Sequence, residues 1–84
     1  MINNTLLSKE IAERFYFTLD ELKRLRIIRG IATFAKRYDI DRRNFATARR
    51  IGSVNVAWIA HVVRDYNISP DYILNGVGGM FREA

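Results

Sequence analysis

One apolar stripe with helical spacing dominates the first third of the chain. Its members recur every three or four residues, which places them on one face of an α-helix. They are Ile11, Phe15, Leu19, Leu22 and Leu25. The stripe predicts a helix over about residues 8–27, with Ser8 as its N-cap. Thr18 and Glu21 match a capping box, so two helices meeting near Thr18 are the alternative. The unbroken phase of the stripe favours one helix.

The remaining sequence predicts four more helices, because no segment sustains the polar–apolar alternation of a strand. Glycine, aspartate and a Ser-Pro pair separate spans of about residues 31–38, 42–50, 56–66 and 71–74. Asp41 is the predicted N-cap of the span 42–50, and Ser69 is the predicted N-cap of the last span, with Pro70 at its first helical position. The Gly-rich tail, about residues 77–84, is expected to be loose, although Met80 and Phe81 could fold back. The fold class is therefore all-α, a bundle of about five helices in one domain spanning residues 1–84.

Composition excludes several classes of function. Without cysteine, disulfides, zinc fingers and thiol chemistry are impossible, and a reducing cytoplasm is the expected location. No apolar run approaches the roughly 18 residues of a membrane span, and the start does not resemble a signal peptide. His61 has no second ligand at metal spacing. Ser53, His61 and Asp65 lack the context of a hydrolytic triad. We therefore expect no enzyme activity, metal, cofactor or small-molecule ligand.

The positive charge is concentrated in one segment. The net charge is +5, but residues 22–50 hold ten of the 14 Lys and Arg against only Asp39 and Asp41. Eleven of the 14 are arginine, whose planar five-donor group suits phosphates and base edges. The segment therefore predicts an anion-binding face. The alternative is a solvated helix in which Arg42 pairs with Asp39 and Arg49 with Asp41.

Residues 31–50 read as a short helix, a tight turn and a basic helix. Ala35 is the small residue for close helix contact, and the buried positions are Phe34, Tyr38, Ile40, Phe45 and Ala48. This segment resembles the helix-turn-helix of lambda-repressor-like (XRE-type) transcriptional regulators. Residues 58–76 are similar to the ending of prophage-repressor domains, and so is the Gly-rich run that ends in Met80 and Phe81, so the resemblance covers residues 22–81. In this chain Asp39 replaces the usual turn glycine, and Ile31 and Ala32 stand where a glutamine is usual.

The resemblance implies that the second motif helix, residues 42–50, enters the major groove of DNA. The residues that it assigns to base reading are Arg42, Arg43, Ala46 and Thr47. The residues that it assigns to phosphates are Thr33, Lys36, Arg37, Asn44, Arg49 and Arg50. Which arginines read bases and which hold phosphates stays open.

The resulting hypothesis is a repressor-like transcriptional regulator of prophage or mobile-element type, bound to double-stranded DNA as a homodimer. Two dimer surfaces are considered: the first helix where Tyr16 or Phe17 is exposed, and the tail around Met80 and Phe81. The rival is a helical protein–protein module, antitoxin-like or a scaffold, that binds an acidic partner. An RNA binder is disfavoured because aromatic residues are not interleaved with the basic run.

Overall fold

Five α-helices build the part of the chain that the computed structural model describes, residues 3–83. They are α1 (Asn4–Arg24), α2 (Ile31–Arg37), α3 (Arg42–Ile51), α4 (Val56–Asp65) and α5 (Pro70–Asn75). The all-α prediction is confirmed. Met1, Ile2 and Ala84, which the predicted domain also includes, lie outside the described residues. None of these five helices is long and apolar enough to cross a membrane.

Helix α1 is one continuous helix, but it is displaced toward the N-terminus relative to the prediction. Its N-cap is Asn3, whose side-chain oxygen accepts the Leu6 N–H at 3.1 Å, so the assignment of Ser8 as N-cap is wrong. Thr18 does not start a second helix, because its hydroxyl donates back to the Arg14 carbonyl at 2.8 Å. The helix ends at Arg24, since Arg26 adopts a left-handed conformation (φ 62°).

The core lies around α1, which is packed on more than the predicted stripe. Phe15, Leu19 and Leu22 are buried as expected, whereas Leu25 is 44% exposed because the helix has already ended there. Tyr16 is also buried, and its ring meets Phe45 of α3 edge-on at 5.6 Å between centroids. A single stripe would have left Tyr16 outside. It is buried because α3 packs beside the stripe, and this packing fixes the orientation of α3.

The C-terminal third follows the predicted capping signals. Ser69 caps α5 by accepting the Tyr72 N–H at 3.3 Å, and Pro70 is the first helical residue. The tail is held more firmly than expected: the Ser69 N–H donates to the Met80 carbonyl at 2.8 Å, and Met80 packs against the core. The Arg82 N–H adds a 2.8 Å bond to the Asn67 carbonyl. Of the tail, residues 80–82 are therefore fastened to the α4–α5 connection.

Candidate nucleic-acid interface

The connection between α2 and α3 is a tight turn at residues 38–41. Asp39 takes the left-handed conformation, with φ 55°, that glycine adopts most readily. The turn is closed by the Ile40 N–H, which donates to the Ala35 carbonyl at 2.8 Å. Ala35 itself is 1% exposed, so the small side chain lets α2 lie close to its neighbours. The sequence therefore fixes the angle at which the chain leaves α2.

Helix α3 has a well-defined start. Asp41 is its N-cap, and one carboxylate oxygen accepts the N–H groups of Arg43 and Asn44 at 2.8 and 3.1 Å. Phe45 is the only residue of α3 classed as buried, and its ring packs against Phe34 at 6.3 Å. Asp41 is thus used as a cap, and it does not form the alternative ion pair with Arg49. One capping carboxylate and one aromatic ring hold α3 at its start and middle.

The four residues predicted to read bases are all exposed and all lie on α3, within two turns of its start. Arg42 and Ala46, one turn apart, line a depression that faces α2. Arg43 and Thr47, also one turn apart, lie nearly opposite Phe45 on the helix and point outward. The structure therefore brings the four together on one helix, in two adjacent rows.

Arg49, predicted to bind phosphate, is engaged within the protein. Its guanidinium lies 2.7 Å from the carboxylate of Asp20 on α1 and 5.4 Å from the ring centroid of Tyr16. Both charged side chains stay partly exposed, at 40% for Arg49 and 51% for Asp20. The pair fastens the C-terminal half of α3 to α1. Arg50, the next residue, has no ion-pair partner within residues 3–83.

Tyr16 of α1 also contacts α3 and the connection that follows it. Its hydroxyl donates a 2.6 Å hydrogen bond to the Ser53 carbonyl in the α3–α4 connection. Burial raises the pKa of Tyr16 to about 12, although the nearby Arg49 charge acts in the opposite direction. Tyr16 therefore joins α1 to the middle of α3 through its ring and to the loop after α3 through its hydroxyl.

The predicted phosphate contacts on α2 divide into two kinds. Thr33 and Lys36 are exposed. Arg37 is directed toward α4, where it donates to the Tyr66 hydroxyl at 3.1 Å and lies 4.0 Å from Asp65. Arg37 also lies over the aromatic rings of Tyr38 and Tyr66. This engagement makes Arg37 a weaker candidate for phosphate binding than Lys36.

A second polar cluster surrounds the C-terminus of α2. Tyr38 donates a 2.6 Å hydrogen bond to Asp65, and burial together with this bond raises the Tyr38 pKa. The His61 ring stacks on Tyr38 at 4.0 Å, so His61 packs between helices. Asn44 lines a polar depression beside Asp39 and Asp41. Two carboxylates next to Asn44 disfavour phosphate there.

Seven of the ten cations in residues 22–50 have no ion-pair partner among residues 3–83, because the three ion pairs there use Arg24, Arg37 and Arg49. Three of the seven lie at the end of α1 and in the α1–α2 connection, which the prediction of site residues did not include. They are Lys23, Arg26 and Arg29. The signal that could have found them is the charge count of the whole segment, which treats the connection and the helices alike.

Comparison of the chain with protein-family models, with curated proteins and with solved structures finds no match.

Proposed function

We propose that this chain binds double-stranded DNA and regulates transcription in a repressor-like manner, with α2, the turn and α3 acting as a helix-turn-helix. One observation carries the proposal: α3 buries only Phe45 fully, yet it holds Arg42, Arg43 and Arg50 without ion-pair partners in the described part of the chain. A helix about 10–12 Å wide fits a major groove of about 12 Å.

Within this proposal the side chains of α3 have different roles. Arg43 and Thr47 face the bases at the centre of the contact, and Arg42 reads the base on the side of α3 that faces α2. An arginine paired with the O6 and N7 atoms of guanine is the commonest specific contact, so we expect guanine in each half-site. Arg50 and Lys36 hold phosphates on the two flanks. Arg49 orients α3 through Asp20 and is not assigned a phosphate.

The test measures duplex binding by fluorescence anisotropy across a salt series, with random-sequence DNA and with a duplex selected from a random pool for tight binding. For wild type, the logarithm of affinity falls linearly with the logarithm of salt concentration. The double variant Arg42→Ala/Arg43→Ala is compared with Arg64→Ala, which removes an exposed arginine from α4. If the two arginines hold phosphates, the double variant loses up to about two units of slope. If they read bases, it loses sequence preference instead. In both cases Arg64→Ala stays close to wild type.

The opposite result favours the rival protein–protein module. Undetectable binding to duplex DNA at low salt, with intact helicity by circular dichroism, would overturn the proposed function. Retained binding of an acidic protein partner under those conditions would then identify the basic face as a protein contact. Because the double variant removes two charges and Arg64→Ala removes one, a loss in Arg64→Ala that is half as large on a logarithmic scale would mean that net charge alone attracts DNA.

The homodimer is part of the proposal, but the structure suggests a different surface for it. Ile51, Val56 and Leu74 are 41–78% exposed and border one groove. Lys9 is the only charged residue among the twelve that line the groove, so two copies that meet there bring together a largely uncharged surface. Sedimentation of wild type and Val56→Asp tests this surface. A dimer that persists in the variant excludes it.

A further inference from the structure

The depression between α2 and α3 has features that the roles above do not use. It has a volume of about 240 Å³. Its lining is apolar apart from two arginines and consists of Ile31, Ala32, Ala35, Phe45, Ala46, Arg42 and Arg49. Arg49 is held by Asp20, whereas Arg42 has no ion-pair partner within residues 3–83. The depression is therefore an apolar surface with one available guanidinium at its edge.

We propose that this depression receives the C5-methyl group of a thymine that neighbours the guanine read by Arg42. The inference rests on the proposed DNA binding and specifies what the first turn of α3 recognises. In the major groove, thymine is the base that presents a methyl group, and guanine presents two acceptors suited to arginine. A guanine–thymine neighbour therefore offers an acceptor pair and an apolar group side by side, the same combination that the depression and Arg42 present.

Small side chains make this approach possible. Ala32 and Ala46 are exposed on the two helices that form the walls, and neither extends far from the backbone. Ile31 is half-buried at the first position of α2, where it turns an aliphatic surface toward Arg42. A polar residue at position 31 would have favoured a hydrogen-bond acceptor on the DNA. The aliphatic one favours a methyl group.

The experiment first selects the preferred duplex from a random pool and then replaces each thymine singly by uracil, which lacks only the methyl group. At the thymine next to the guanine we expect about fourfold weaker binding, the value for one buried methyl group. Thymine replacements elsewhere serve as internal controls. A second replacement puts 5-methylcytosine, paired with guanine, in place of that thymine. This base keeps the C5-methyl group and lacks the thymine O4, so it tests whether the methyl group itself is recognised.

A variant makes the test specific to the depression. Ala46→Leu places a larger side chain in its wall and obstructs the methyl group, so the ratio of thymine to uracil affinity at that position falls toward one, whereas Ala57→Leu on α4 leaves the ratio unchanged. Binding that is tight but indifferent to uracil at every position overturns the methyl site while the proposed function stands. Absence of any duplex binding overturns the proposed function itself. A ratio that survives Ala46→Leu places methyl recognition on another part of the surface and also overturns the inference.

Discussion

The ion pair between Asp20 and Arg49 yields the sharpest test of how charge is distributed on α3. Replacement of Asp20 by asparagine removes one negative charge 2.7 Å from the Arg49 guanidinium and keeps the size of the side chain. Arg49 then carries an uncompensated charge on the helix that we propose to enter the groove. Asp20→Asn should therefore add a phosphate-binding cation to the interface and raise its affinity for DNA.

Two magnitudes are expected for Asp20→Asn: a change in unfolding free energy and a change in the salt dependence of DNA binding. Because both side chains are two-fifths or more exposed, loss of the pair should cost no more than about 1 kcal/mol of unfolding free energy. One additional phosphate contact steepens the salt dependence by about 0.9 in logarithmic slope. Between 50 and 200 mM salt, the variant should then lose about 3.5-fold more affinity than wild type does.

The assay is anisotropy with a fixed duplex at four or more salt concentrations, with Asp71→Asn as the matched control. Asp71 is exposed on α5, where its carboxylate accepts a 3.3 Å hydrogen bond from the Asn75 amide. Both variants change the net charge by the same amount. If the slope rises equally in both, the effect comes from net charge and the assignment of Arg49 is refuted. An unchanged slope in Asp20→Asn shows that the freed arginine reaches no phosphate.

Three further predictions concern the frame that holds α3. Tyr16→Phe should cost about 0.5–1.5 kcal/mol by removing its 2.6 Å hydrogen bond to the carbonyl of the exposed residue Ser53, as measured by urea denaturation. The pKa of Tyr16 is about 12 in the folded chain against 10.0 in the unfolded one, so its contribution to stability is full below pH 10 and falls by up to about 1.4 kcal/mol per pH unit toward pH 12. Tyr38, whose pKa is also raised, adds a fall of its own above pH 10, so Tyr16→Phe should show a shallower fall than wild type, and an equally steep one would contradict this. Phe45→Ala should cost about 3–5 kcal/mol and release α3, and a loss below 1 kcal/mol in thermal unfolding would refute its role as the anchor. Asp39→Val should destabilise by about 1–2 kcal/mol because φ is 55° there, whereas Asp39→Gly should be nearly neutral; equal effects would remove the turn argument.

The elements with strong local signals were predictable from the sequence. The caps at Asp41 and Ser69 form as predicted, and the spans of α2 and α3 agree within one residue. In each case the signal and the structure depend on the same few neighbouring atoms, so no tertiary contact is needed to decide the outcome. Helix boundaries were wrong where a competing local choice existed, as at Asn3 against Ser8. Both residues can cap a helix, and the sequence does not say which one begins it.

Long-range pairing of charges was not predictable in the same way. The sequence offered Asp41 as the partner of Arg49, because the two are close along the chain. In the structure Arg49 pairs instead with Asp20, which is 29 positions away in the sequence. The two residues meet because the contact between Tyr16 and Phe45 brings α1 and α3 together there. A charge count over a segment therefore predicts that an interface is basic without predicting which cations are available.

The difference between cations held in ion pairs and cations without a partner determines how the basic segment works in the proposed function. If all ten cations of residues 22–50 were free, the segment would bind any polyanion, and specificity would be weak. Arg24, Arg37 and Arg49 are instead tied to carboxylates, and two of these ties join separate helices. The ties reduce non-specific attraction, and two of them link α2 to α4 and α3 to α1. The cations left on the exposed face of α3 then meet the DNA in a defined orientation, which is the condition for reading bases.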